Sequence, residues 1–150
     1  MRARFLNSKE KKKIFEIIKK QWNAAFESED AWLLSSKDRV YVVSRDIGRL
    51  ELDELNINNI GLYFGQLVNN ELRLSIEGSQ IIGRKAKSNV VELNDDELKQ
   101  WFEGYDLDYI GDATGFVIVK HKNDFVGCGK VAKNKILNYV PKARRIVAAN

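Results

Sequence analysis

A chain of 150 residues, 44% hydrophobic and 31% charged, can build one core or two small domains sharing an interface. Its net charge of +4 and pI near 9.1 admit a polyanionic partner without selecting one. A single cysteine, Cys128, excludes an internal disulfide and a cysteine-rich zinc site.

No apolar run approaches the ~20 residues of a membrane-spanning helix, and the charged stretch from Met1 to Lys13 lacks a signal-peptide core. A cytoplasmic protein without a membrane partner is expected. Asn7 and Glu10 predict a capped helix start, followed by an apolar stripe at Ile14, Phe15, Ile18, Trp22 and Phe26. Lys11, Lys12, Lys13, Lys19 and Lys20 form its solvated side. Ala31 to Leu34 and Val40 to Ser44 read as a hairpin around Ser35 to Asp38. Asp46 to Leu55 leans towards a helix, against the grain of Gly48 and Glu54, and Asn56 to Asn59 is a turn. A second hairpin joins Leu62 to Val68 with Leu72 to Leu74 through Asn69-Asn70, and a short helix runs from Ile76 to Ile82 up to Gly83.

The basic run Arg84 to Ser88 is the best linker, dividing the chain into residues 1–83 and 84–150. Beyond it, Val90-Val91 predicts a strand. Asn94 caps a helix whose first turn holds Asp95, Asp96 and Glu97, whose apolar side is Leu98, Trp101 and Phe102, and which Gly104 stops. Asp106, Asp108 and Asp112 read as an acidic loop, leaving this part with one face unsuited to RNA. Phe116 to Val119 is a buried strand returning through the turn His121 to Asp124 into Phe125-Val126. Gly127 and Gly129 imply a bulge or a close backbone approach. A further turn at Lys133-Asn134 leads into Ile136-Leu137 and a closing segment, Asn138 to Arg145.

Charge concentrates in this last part. From Gly115 to Ile146, Lys120, Lys122, Lys130, Lys133, Lys135, Lys142, Arg144 and Arg145 face one acid, Asp124. Catalytic patterns are empty by comparison. His121 is the only histidine and reads as a surface residue; Cys128, between glycines, reads as a buried small residue with no third group to orient a nucleophile. Gly127 to Ala132 matches Gly-x-Gly-x-x-Ala formally, but a turn and a strand follow where pyrophosphate binding needs a helix. Asp106, Asp108 and Asp112 lack the glycine and final glutamate of a calcium loop. No catalytic residue, metal or cofactor is expected.

Asp124 to Val131, a short turn, and Asn138 to Arg145 resemble the end of a PUA domain, a small RNA-binding pseudo-barrel. Asp38 to Ser44, Gly61 to Gly65 and Asn89 to Leu93 extend the resemblance upstream. Two kinds of relative fit: the PUA module of Sun-family RNA cytosine methyltransferases, and the Nip-seven type of ribosome-biogenesis factor. The resemblance implies an α+β protein, with a small N-terminal α/β domain followed by a C-terminal PUA-like β pseudo-barrel. It implicates Lys130, Lys133, Lys135, Lys142, Arg144 and Arg145 in RNA binding, with Gly111 and Gly115 competing for the loop glycine. Pro141 is expected to present Lys142 to Arg145 along one extended edge, with Tyr139 and Tyr63 as candidate stacking residues. The function this predicts is non-catalytic RNA binding in rRNA or tRNA maturation or ribosome biogenesis, with RNA and an RNA-modifying enzyme or ribosome-assembly protein as partners. The alternative is a protein-interaction adaptor, such as an accessory subunit acting in trans with an RNA-modifying enzyme, working through the acidic helix and the N-terminal domain.

Overall fold

The computed structural model of the chain describes residues 2–44 and 61–146. The helix expected from Asp46 to Leu55 and the turn from Asn56 to Asn59 lie outside them. A short edge strand, β1 (Ala3–Phe5), precedes the first helix and pairs antiparallel with β2, Arg4 opposite Leu34. It went unread because charged residues dominate the segment.

Helix α1 (Ser8–Trp22) starts at the expected capping box: the Glu10 amide donates to Asn7 Oδ1 at 2.8 Å, and the Asn7 amide to Glu10 Oε1 at 3.1 Å. Such a cap stabilises by about 1 kcal/mol. The helix stops at Asn23, which adopts a left-handed conformation with φ 49°. Phe26 therefore belongs to the following segment and not to the helical stripe. Its ring still reaches the same place, 5.6 Å from Phe15 and 6.1 Å from Trp32.

Strands β2 (Ala31–Ser35), β3 (Arg39–Val43), β4 (Leu62–Val68) and β5 (Glu71–Leu74) follow β1 in order across an antiparallel five-stranded sheet. Asn69 and Asn70 turn between β4 and β5 with φ of 50° and 64°, the pair of positive values that a tight two-residue hairpin demands. Helix α2 (Ile76–Gly83) comes next, its start capped by Ser75 Oγ accepting from the Gly78 amide at 2.9 Å.

The second sheet contains β6 (Val90–Glu92), β7 (Leu107–Asp108), β8 (Gly115–His121), β9 (Asp124–Ala132) and β10 (Lys135–Asn138), in the order β6-β8-β9-β10-β7. Strand β6 runs parallel to β8 and the other pairs are antiparallel. Helix α3 (Asp95–Phe102) starts at a second capping box, Asn94 with Glu97. Strand β7 lies where an acidic loop was expected. Leu107 is buried opposite Ile136, and this one apolar side chain draws its neighbour Asp108 into the sheet opposite Lys135.

Burial explains the uninterrupted run Phe116 to Val119. Phe116 and Ile118 join a core formed by Ile18, Trp22, Trp32, Phe64 and Leu72, whereas Val117 and Val119 face Trp101, Leu107 and Ile136. A strand buried on both faces has no polar alternation to show. The first of these cores takes residues from both sides of the basic run 84–88, whose Lys87 and Ser88 amides donate to the Trp22 carbonyl at 2.9 and 3.2 Å. Among the described residues, no helix is long and apolar enough to cross a membrane.

Candidate nucleic-acid interface

The six cations singled out by sequence lie on β9 and β10, in the turn between them, and in the segment that follows β10. Lys130, on β9, holds its ammonium 5.3 Å from the Phe116 ring centre. Lys133 lies exposed in the β9–β10 turn with φ 51°. Lys135 opens β10 and reaches Asp108 Oδ1 at 3.0 Å; both side chains are exposed, so solvent screens the pair. Lys142 and Arg144 stand in a 3-10 turn (Lys142–Arg144) and not on an extended edge. The φ of −57° that Pro141 brings also suits a helical turn, and the Arg144 amide closes it on the Pro141 carbonyl at 2.8 Å. The turn sends its cations apart. Arg144 pairs with Glu77 at 2.7 Å, and Arg145 Nε donates to the Val140 carbonyl at 3.0 Å. Among the described residues, Lys130, Lys133 and Lys142 form no ion pair.

The two residues considered for nucleophilic chemistry are held apart. His121 is not a free surface residue: its Nε2 lies 2.7 Å from Asp95 Oδ1, and its side chain is only 14% exposed. That hydrogen bond, with the charge of His121 and Lys122, holds the Asp95 carboxyl below its usual range. Cys128 pairs across the sheet with Ile118, whereas His121 pairs with Asp124. Burial pushes the Cys128 thiol up to about 12.

A feature that sequence reading missed lies between the two sheets. Register places Arg39 of β3 opposite Gln66 of β4, and Gln66 opposite Arg73 of β5, so three polar side chains form one row across the first sheet. Their neighbours Val40, Leu72 and Leu74 enter the core, which sends this row to the other face. Arg73 donates to Gln66 Oε1 at 2.7 Å and lies 4.3 Å over the Tyr139 ring; Arg39 stands 5.9 Å from the centre of Tyr63. These groups line a groove of about 350 Å³, walled on the other side by Val140, Pro141 and Arg144. Burial, partly offset by the charges of Arg73 and Arg39, raises the Tyr63 hydroxyl above its ordinary range. The sequence signal was an arginine between two leucines at strand spacing, Leu72-Arg73-Leu74. It marks a polar outer face, but only the register brings Arg39 beside it.

A sheet with cations at its turns, bordered by an arginine- and tyrosine-lined groove, has the chemistry of a polyanion-binding protein. Residues 88–146 match the family described as the methyltransferase RsmF PUA domain. Over 146 residues the chain is 27% identical to the ribosomal RNA small subunit methyltransferase F of Vibrio parahaemolyticus, an alignment covering 89% of this chain and 30% of that protein. The proteins of the same name from Vibrio cholerae and Vibrio vulnificus are 27% and 26% identical over 92 and 91 residues, covering 61% of this chain and 20% and 19% of theirs. The C-terminal part is therefore a PUA domain resembling the module of Sun-family RNA methyltransferases, and a PUA domain points to RNA binding. The chain spans 30% of the length of the Vibrio parahaemolyticus relative.

Proposed function

We propose that this chain is a non-catalytic RNA-binding unit that serves rRNA maturation, presenting structured rRNA to a methyltransferase active site formed by other residues or by another protein. The match of residues 88–146 to a PUA domain carries this reading, and the relatives' name directs it to small-subunit rRNA. Lys130, Lys133 and Lys142 make the phosphate contacts. They are cations of the PUA part that no carboxylate in the described structure neutralises. Residues 1–83 act as a unit leaning on the PUA part and extending its surface. No cofactor is needed for this role.

Titration of fragments of small-subunit rRNA against Lys130→Gln/Lys133→Gln/Lys142→Gln, at several salt concentrations, tests the reading. Three lost contacts should lower the salt slope of log K by about 2 for single-stranded RNA. The matched control neutralises Lys12, Lys13 and Lys20, which are exposed on α1. Equal losses from both variants would reduce the interaction to diffuse charge attraction. An unmodified protein that binds no RNA would sink the proposal and leave the adaptor reading.

A further inference from the structure

The groove between the sheets has features that surface attraction to RNA does not require. Arg39 and Arg73 form no ion pair with another described residue, so no carboxylate of the described structure cancels their charge. Each guanidinium stands over a tyrosine ring, Tyr63 or Tyr139, while Gln66 holds Arg73 from one side. Stacking fixes the plane of a guanidinium and leaves edge N–H groups to meet the oxygens of a phosphate. Glu77 offsets only Arg144, so the lining retains a positive balance. The volume, about 350 Å³, is at the small end of ligand pockets, with room for one nucleotide and none for a duplex. Arg39, Tyr63, Gln66 and Arg73 also precede the region 88–146 that matches the PUA domain, so the groove is not a property of that domain alone.

We propose that this groove holds one unpaired nucleotide of an RNA chain, its phosphate between Arg39 and Arg73 and its base against the exposed part of Tyr63. The proposal rests on the RNA-binding reading and sharpens it. Lys130, Lys133 and Lys142 attract RNA of any form, and the groove selects a site with an extruded or single-stranded nucleotide. Base stacking on an aromatic ring tolerates every base, so the selection is for strandedness and not for sequence. The same phosphate-and-base chemistry also belongs to a free mononucleotide, and the two sources differ in whether a monomer competes.

The test compares a labelled, unstructured RNA oligonucleotide with an RNA duplex of equal length by fluorescence anisotropy, using the full chain. Against the single strand, Arg39→Gln/Arg73→Gln should lose about tenfold or more in affinity, as expected for charge-assisted hydrogen bonds, with little change against the duplex. Its salt slope on the single strand should fall by about 0.7, for the one phosphate lost. The lysine variant Lys130→Gln/Lys133→Gln/Lys142→Gln should weaken both RNAs. Uridine or adenosine monophosphate in millimolar excess should leave the bound oligonucleotide in place; displacement that depends on Arg39 and Arg73 would assign the groove to free nucleotides and overturn the proposal. Arg39 is exposed at a strand end, so Arg39→Gln alone keeps the test valid if the double variant melts early. It should still lower single-strand affinity selectively, and no selective loss from it overturns the groove. A protein that binds neither RNA refutes the RNA-binding reading itself. Binding of both, with equal losses or none in the arginine variants, refutes only the groove.

Discussion

The guanidinium of Arg73, on β5, lies 4.3 Å from the ring centre of Tyr139, the residue after β10. It is a cation–π contact between the two sheets, made at the wall of the groove. Contacts of this kind are worth about 0.5–2 kcal/mol, the larger values where water is excluded. Urea unfolding of Arg73→Leu, Tyr139→Leu and the double variant should give a coupling energy of about 0.5–1 kcal/mol. Additive losses would show that the guanidinium and the ring are merely adjacent.

Gly127 and Gly129 should both resist enlargement, for different reasons. Gly127 has φ 143°, beside the register shift that follows Val119, and an added Cβ would press on the Trp101 indole at 3.2 Å. Gly129 has ordinary backbone angles, but its Cβ would collide with Ile136 Cγ2 and lie 2.7 Å from the Leu137 carbonyl. Gly127→Val and Gly129→Val should each cost roughly 1–3 kcal/mol, from backbone strain and overpacking respectively. Unchanged melting temperatures would show that neither glycine is structural.

Cys128 should be inert to thiol reagents in the native protein. It is buried, and burial raises its thiol to about 12, so almost no thiolate exists near neutral pH. A disulfide-exchange reagent at pH 8 should label the unfolded chain in urea fully and the native chain only at the rate of global opening. Rapid native labelling would contradict the burial.

Two carboxylates among the described residues should contribute to the pH dependence on the acid side. Asp95 is held below its usual range chiefly by its hydrogen bond to His121, and Glu10 chiefly by its hydrogen bond to Arg4, then by the Asn7 amide. A carboxyl depressed in the folded state adds stability above its unfolded value near ~4, and loses it as pH falls through the lower folded value. Asp95→Asn should therefore be less stable than the parent chain at pH 5.5, with the difference closing below about pH 3. A difference in urea midpoint that stays constant across this range would assign the effect to packing.

Local chemistry settled much of this molecule before any tertiary contact. Asn7 with Glu10 and Asn94 with Glu97 set the helix starts, because a capping side chain bonds to an amide three residues away and needs nothing distant. Asn69-Asn70 and Lys133-Asn134 marked turns for a similar reason, since positive φ is a property of the residues in the turn. The PUA domain was legible in the residues from Asp124 to Arg145. The tertiary structure decided what depends on partners far along the chain. Strand β7 exists because Leu107 meets Ile136, and the 3-10 turn pairs Arg144 with Glu77, 67 residues earlier. The groove belongs to the same class. Arg39 and Arg73 are 34 positions apart in the sequence, and the register of β3, β4 and β5 alone places them in one row. Sequence pattern reports which face of a strand a residue takes, whereas register, set by the pairing of whole strands, determines its neighbours on that face.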